Sequence, residues 1–239
     1  MKKIVLTAFC LAQTCLAPYA FADNAIRPLS LSIKGIRSEK PIPDRFAYCM
    51  PDGQGRSKDG GNISPAISWS GAPEATQSYA LIVVDRDVPA SFERANQPGK
   101  TIPKDFGRQD FYHWVLVNIP AQVHGLLEGK NSNGIAQGGK SVGKTDYGIN
   151  GQNDYALMSS GPHGGYDGPC PPWNDERLHR YHFMVYALDV PSLALPNPIK
   201  GKQAEAAMAG HILAKGEVVG TYSNNPVWLS PSHDGVRAH

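Results

Sequence analysis

Glycine and proline interrupt this chain so often that no long helix can form over most of it. The 239 residues hold 25 glycines and 20 prolines, and both residues weaken helices and strands alike except at turns, caps and edges. What survives between them are short runs rich in Val, Ile, Leu and aromatics. The runs Leu29–Ile33, Ala66–Trp69, Ser78–Val84, His113–Ile119, His179–Leu188 and Glu217–Tyr222 read as strands. Such spacing predicts an all-β chain, a sandwich carrying one C-terminal helix and few short helical pieces. That helix is expected over Lys202–Lys215, where Ala204, Ala207, Met208 and Ile212 recur at helical spacing and Gly216 supplies a stop. A short helical piece is expected within Ser192–Leu195.

Two segments are too long for simple connections. Ala90–Phe111 carries Arg94, Lys100, Lys104 and Arg108, and Glu128–Gly168 is rich in Gly and Asn. Loops of that length in a compact domain are usually functional or mobile. No internal repeat or linker divides the chain, so residues 23–223 are expected to form one domain, with 224–239 as a poorly ordered tail.

The first residues read as an export signal rather than as fold. Lys2 and Lys3 precede an apolar stretch from Ile4 to Ala17, and Ala20-Phe21-Ala22 is a small-x-small cleavage site. Cleavage after Ala22 would leave a periplasmic or secreted protein. No segment reaches the about 18 apolar residues of a membrane span. The full chain carries a formal charge of +2, and removal of Lys2 and Lys3 brings it near neutrality. A near-neutral chain lacks the basic footprint of a nucleic-acid binder and the polybasic patch of a membrane anchor. Cys49 and Cys170 remain after cleavage. In an oxidising compartment the pair suggests one disulfide, with two buried thiols as the alternative.

Two strands end in chemistry. Leu81–Val84 runs into Asp85 and Asp87, and the strand beginning at His113 ends in Asn118-Ile119-Pro120. A third opens on His179-Arg180-Tyr181 after the turn Gly168-Pro-Cys-Pro-Pro172. Residues two apart on a strand share a face, so Asp85 and Asp87 can point together, as can His179 and Tyr181. His113 and Trp114 fall on opposite faces. Each strand can therefore deliver a polar group to the edge of an apolar interior, a pattern that suits a small pocket. Imidazole and phenol donors, with accessible turn backbone, favour an anionic oxygen such as a phosphate or carboxylate, while an Asp can orient a ring or accept from an ammonium.

These motifs, in this order, resemble the signatures of the phosphatidylethanolamine-binding protein (PEBP) family, which includes the Raf-kinase-inhibitor-like proteins. The first signature is matched by Asp85, Asp87, Pro89, His113, Trp114, Asn118, Ile119 and Pro120, and the second by Gly168, Pro171, Pro172, His179, Arg180 and Tyr181. Asn62-Ile-Ser-Pro-Ala-Ile-Ser-Trp69 is similar to a further family strand. The export signal and cysteine pair most resemble the bacterial YbhB/YbcL-type branch. The resemblance implies a β-sandwich with an anion pocket lined by Asp85, His113, His179 and Tyr181. It implies Asp87, Pro89, Trp114 and the Gly168, Pro171, Pro172 turn as walls, with a cis Val88–Pro89 bond. A Cys49–Cys170 bridge would then tie an early loop to the pocket turn. The loop between Asp87 and His113 is longer than the family's compact bacterial members have, and Trp173 stands where a small residue is common.

On this reading the protein binds a phosphate, phosphoethanolamine or phospholipid head group without a cofactor or metal and without catalysis. His113 and His179 would donate to the anion. Asp85, Asp87, His113 and His179 are metal-ligand types, yet no His-Glu-x-x-His or Cys-x-x-Cys spacing accompanies them. There is no Gly-x-Ser-x-Gly elbow for a serine hydrolase. His124, His163, His182, His211, His233 and His239 read as surface or core residues. A protein partner held by the 90–111 loop is the first alternative, making the chain an inhibitor of a kinase, protease or host factor. A phosphoester hydrolase using the His/Asp groups is the second.

Overall fold

The computed structural model describes residues 26–229. The expected export signal and residues 230–239 lie outside that range. Among the described residues the strands are, in chain order, β1 (Arg27–Pro28), β2 (Ser30–Ile33), β3 (Lys40–Pro41), β4 (Cys49–Pro51), β5 (Ser57–Asp59), β6 (Ile67–Ser70), β7 (Ser78–Pro89), β8 (Arg108–Pro120), β9 (Gly125–Leu126), β10 (Gly143–Thr145), β11 (Gly148–Asn150), β12 (His179–Leu188) and β13 (Ile212–Tyr222). One eight-stranded sheet runs β1-β13-β12-β7-β8-β11-β10, with β3 also on β13. A three-stranded sheet, β2-β6-β9, and the β4-β5 ribbon complete the strands.

The long central strands β7, β8, β12 and β13 pair antiparallel. Their interiors are apolar on both faces because both faces are covered. Leu81, Val83, Leu116, Phe183 and Val185 pack with Ile67 and Trp69 of the smaller sheet. Ile82, Val84, Val115, Val117 and Met184 pack instead with Ala204 and Met208 of the helix α1 (Gly201–Met208). The architecture is thus a mainly β sandwich with one helix on the outer face of the large sheet. Gly201 begins that helix directly on Tyr112, where a Cβ would fall 2.0 Å from the ring.

The helix is shorter than its periodicity predicts. It ends at Met208, and Gly210 takes a positive φ of 85°. From Ile212 the chain pairs with Leu188 as β13, so sheet pairing captures residues whose spacing also suits a helix. No helix forms at Ser192–Leu195. There Leu193 is buried, and its N–H donates to Asn118 Oδ1 at 2.8 Å.

The two long loops also differ from expectation. β8 begins at Arg108, so the first covers residues 90–107. Its first half is held by Asn174: Nδ2 donates to the carbonyls of Arg94 at 2.8 Å and Lys100 at 2.9 Å, while Asn96 N–H donates to Asn174 Oδ1 at 2.9 Å. Ile102 is fully buried beneath it. The second loop contains the β10–β11 hairpin and a 3-10 turn at Asp154–Leu157.

The Val88–Pro89 bond is trans, contrary to expectation; Asn197–Pro198 is the cis bond among the described residues. β7 carries straight on through Pro89, paired with Arg108 of β8, and that extended course requires no reversal of the chain. The start of the expected tail also belongs to the fold. Asn224 donates to the Pro171 carbonyl at 2.9 Å and Asn225 to the Asp175 carbonyl at 2.8 Å, both from buried side chains. A Cys49–Cys170 disulfide joins β4 to the turn before β12 across 121 residues.

Candidate functional site

Antiparallel pairing of β7 with β12 sets Tyr181 opposite Asp85 and brings His179 beside them. Asp85 Oδ2 lies 2.6 Å from His179 Nδ1, and Asp175 Oδ2 lies 3.1 Å from His179 Nε2. Carboxylates can only accept, so both ring nitrogens carry protons and His179 is an imidazolium. Burial opposes that charge, but Asp85 and Asp175 outweigh it and lift the His179 pKa to about 9. Burial also pushes Asp85 and Asp175 up, yet His179 holds both below the usual carboxylate value, with Arg108 adding to the effect on Asp175.

Arg108 closes this row of charges. Its Nη1 and Nη2 meet Asp175 at 2.5 and 3.0 Å as a fork, and its other donors go to the carbonyls of Asp87, Pro103 and Phe106. Asp85, His179, Asp175 and Arg108 thus form a buried line of two anions and two cations with no net charge. Neither His179 nor Arg108 has a donor left for a ligand.

His113 is different. Its Nδ1–H donates to the Asp167 carbonyl at 2.8 Å, a tautomer assigned from that acceptor, and its Nε2 is buried with no partner. Burial holds the His113 pKa below the ordinary histidine value, against the opposing pull of Asp85. The ring sits in an aromatic box, 5.1 Å from the centroids of Phe111 and Tyr181 and 5.6 Å from Tyr155. Burial, then the charge of Asp85, keeps the Tyr181 hydroxyl protonated.

These groups line a cavity of about 290 Å³ together with Val88, Phe92, Ala95, Asn96, Phe111, Tyr155, Met158, Cys170, Pro171 and Pro172. The structure therefore brings together Asp85, His113, His179, Tyr181, Pro171 and Pro172. It does not bring in Asp87, Pro89, Trp114 or Gly168. Register shifts between Asp85 and Val88, so Val88 rather than Asp87 shares the pocket with Asp85. Asp87 instead accepts from Arg177 at 2.9 Å and from the Arg180 N–H at 3.1 Å, and Pro89 continues β7 along Arg108. Trp114 lies on the opposite face of β8 from His113 and packs on Tyr166 in the core; strand alternation alone excludes both from one pocket. Gly168 sits behind the turn, with its N–H on Asn62 and its carbonyl on the Tyr155 hydroxyl.

The residues missed from sequence are Asp175 behind His179, and Val88, Phe111, Tyr155, Met158 and the loop wall of Phe92, Ala95 and Asn96 around the cavity. Asp175 stands four positions before His179, a spacing that could have flagged it. Val88 and Phe111 reach the cavity from β7 and β8 beside a shift of register, and the rest arrive through loops, where no periodic signal places a side chain. Among the described residues no group of three His, Cys, Asp or Glu is arranged to hold a metal.

The model of the phosphatidylethanolamine-binding protein family matches residues 33–223, which hold every strand of this site. The chain belongs to the PEBP family. Its relatives include a UPF0098 protein of Aquifex aeolicus, 35% identical over 171 residues, covering 70% of this chain and 78% of the relative. The UPF0098 protein YbcL of Escherichia coli is 29% identical over 165 residues, covering 69% of this chain and 73% of YbcL. Two solved PEBP-family structures share the fold. Escherichia coli YbcL, described as a new member of the mammalian PEBP family, aligns with a TM-score of 0.58 at 24% identity, covering 82% of this chain and 98% of YbcL. The Chlamydia trachomatis PEBP homologue CT736 aligns with a TM-score of 0.57 at 29% identity, with the same coverages. Within this PEBP domain, no helix of the described residues is long and apolar enough to cross a membrane.

Proposed function

We propose that this PEBP domain binds a small anionic head group, a phosphate or phosphoethanolamine either free or on a lipid, in the cavity of Asp85, His113 and Tyr181. The observation that carries this reading is the buried, unpartnered Nε2 of His113. A buried polar atom without a partner is costly, and a ligand that supplies one removes the penalty. Because the row from Asp85 to Arg108 is already balanced, the ligand meets no spare cation. It must either present its own proton to Nε2, as a phosphate monoanion or ammonium does, or draw a proton onto His113.

The Tyr181 hydroxyl lies against Asp85, which draws on its one proton, so it serves an anionic oxygen only by turning from that carboxylate. His179 is a fixed charge that holds Asp85 in place, not a direct ligand donor and not a mobile acid or base. That division of labour favours holding the anion over transforming it. Calorimetry with phosphoethanolamine and with phosphate, on wild type and His113→Ala, tests the reading. Saturable binding that His113→Ala leaves unchanged would move the site elsewhere.

We further propose an exported protein, supported by the amino-terminal signal pattern and the Cys49–Cys170 pairing. Protease protection of the protein in intact cells, with exposure after outer-membrane permeabilisation, tests a periplasmic location. A protein partner engaging the 90–107 loop is the weaker reading. Phe92, Ala95 and Asn96 of that loop wall the cavity and Arg108 at its end is consumed by Asp175, while Arg94, Lys100 and Lys104 stay exposed and are the groups such a partner would meet.

A further inference from the structure

A second cluster lies beside the pocket. Ser159 Oγ is 2.7 Å from His163 Nε2, and His163 Nδ1 is 3.1 Å from Asp167 Oδ2. We propose that Ser159, His163 and Asp167 form an acyl-transfer triad that hydrolyses carboxylic esters bearing an apolar group at the pocket rim. The proposal does not depend on anion binding in the cavity.

The hydrogen-bond directions follow from the acid end. Asp167 is buried and takes Asn62 Nδ2 at 2.8 Å and Lys140 on Oδ1, and Asn153 Nδ2 at 2.9 Å on Oδ2. Surrounded by donors, it acts as an acceptor and draws the His163 proton to Nδ1. Nε2 then keeps its lone pair and accepts from the Ser159 hydroxyl at 2.7 Å, a shorter contact than the 3.4 Å from the same hydroxyl to the Tyr155 carbonyl. That is the arrangement of nucleophile, base and orienting carboxylate that acyl transfer needs. Lys140 offsets the charge of Asp167, so the carboxylate's part is chiefly to fix the tautomer and direction of the ring.

The exposure of each member suits its role. His163 and Asp167 are buried, while Ser159 faces solvent. A turn sets the hydroxyl over the ring. Gly161 has a φ of 95°, and a Cβ there would fall 2.1 Å from the Gly138 carbonyl, so the tight return to His163 requires glycine. Lys140 N–H donates to the Pro162 carbonyl at 2.6 Å and Gly164 N–H to the Lys140 carbonyl at 2.8 Å, which fixes the backbone on either side of His163. The exposed backbone N–H groups of Ser160 and Gly161 have no partner among the described hydrogen bonds and are the candidate donors for a developing oxyanion. Met158, next to Ser159, and Phe92 both line the cavity and are exposed; they form the apolar rim that would meet the substrate's hydrocarbon part.

The chemistry balances with water as the second reactant. The Ser159 proton moves to His163 Nε2 as Oγ bonds to the ester carbonyl carbon. The bond from that carbon to the alkoxy oxygen breaks, and the alcohol leaves with the proton from His163. Water repeats the sequence on the acyl-serine, releasing the carboxylic acid and restoring the Ser159 hydroxyl. The absence of a Gly-x-Ser-x-Gly elbow does not bear on this cluster, since Ser159 stands in a loop four residues before its base rather than between a strand and a helix.

The test treats the full chain with an alkyl fluorophosphonate and maps adducts by mass spectrometry, alongside hydrolysis of p-nitrophenyl butyrate. A single adduct on Ser159 is expected, absent in Ser159→Ala and formed about a hundredfold more slowly in His163→Gln. Hydrolysis should fall by a similar factor in both variants. Ser159 is solvent-facing, so Ser159→Ala keeps the fold and decides the matter by itself if His163→Gln does not. No adduct on Ser159, equal labelling of folded His163→Gln, or equal hydrolysis by wild type and Ser159→Ala would overturn the proposal.

Discussion

Asp167 and His113 hold each other at two points: the Asp167 N–H donates to the His113 carbonyl at 2.9 Å, and the Asp167 carbonyl accepts from His113 Nδ1 at 2.8 Å. The backbone of Asp167 therefore orients the pocket histidine, while its side chain orients His163. Tyr155 packs against both rings, 5.6 Å from His113 and 6.3 Å from His163. Pocket and proposed triad share one frame, and their histidines differ in the Asp167 oxygen that Nδ1 meets and in what Nε2 faces: a cavity in one case, a serine hydroxyl in the other.

That fixed tautomer makes anion binding pH-dependent. His113 is held below the ordinary histidine pKa by burial, so it is largely neutral at pH 7. Sulfate brings no proton of its own, and its binding must draw one onto Nε2. Its affinity should fall by up to about tenfold per pH unit above about pH 6.5, the limit for uptake of one proton. Calorimetry from pH 6 to 8 checks this, and His113→Ala should lose both the binding and the slope. A flat sulfate profile in wild type would show that His113 takes up no proton.

The row from Asp85 to Arg108 sets a second pH dependence, in stability. The His179 pKa is raised to about 9 in the folded chain, against about 6.5 unfolded. A raised pKa stabilises fully below the unfolded value and the contribution is lost as pH rises through the folded one. The loss between about pH 6.5 and 9 should be on the order of 3 kcal/mol. Urea unfolding at those two pH values measures it. His179→Gln should be less stable than wild type at pH 6.5, because two buried carboxylates lose the cation between them, and it should show a much smaller fall toward pH 9.

The disulfide supports the same pocket from the other side. Cys170 lines the cavity, and its partner Cys49 sits in β4, where the N–H groups of Tyr48 and Cys49 donate to the Pro169 carbonyl at 2.9 and 3.2 Å. Replacing both cysteines with serine should lower stability by about 2–4 kcal/mol. Phosphate affinity should drop with it, since the turn carrying Pro171 and Pro172 loses its tether. Thermal melts and calorimetry on the double variant check the two effects separately.

How far the sequence reached can be judged residue by residue. Asp85, His113, His179 and Tyr181 each sit on a strand whose apolar run is plain, but it was the family resemblance that gathered them into one pocket. His179 lines the cavity, but both its ring nitrogens meet carboxylates. Assigning it to the ligand ignored Asp175, whose carboxylate comes from a non-periodic turn and leaves no nitrogen free. Trp114 was carried into the pocket by its place in a motif although alternation put it on the other face. The end of α1 was missed because Ile212 and Leu213 fit both a helix and a strand, and pairing with Leu188 decides between them. Ser159 and His163 were invisible as a pair, since three residues of irregular turn lie between them and only the folded backbone sets their separation.

The loop over residues 90–107 offers the sharpest separation of ordering from ligand chemistry. Asn174 is buried and its amide bridges the carbonyls of Arg94 and Lys100 while its oxygen takes the Asn96 N–H. No bond in that set reaches the charged row or His113. Asn174→Ala should leave these loop groups without their shared partner and destabilise the loop by about 1–3 kcal/mol. Limited proteolysis near Arg94 or Lys100 should accelerate, while the central strands keep their hydrogen-exchange protection. Because Phe92, Ala95 and Asn96 form one wall of the cavity, ligands that reach the rim should lose affinity. Inorganic phosphate, small enough to sit at His113, should lose much less. Equal losses for phosphate and for a short-chain phospholipid would mean that the loop supports the inner site as well as the rim.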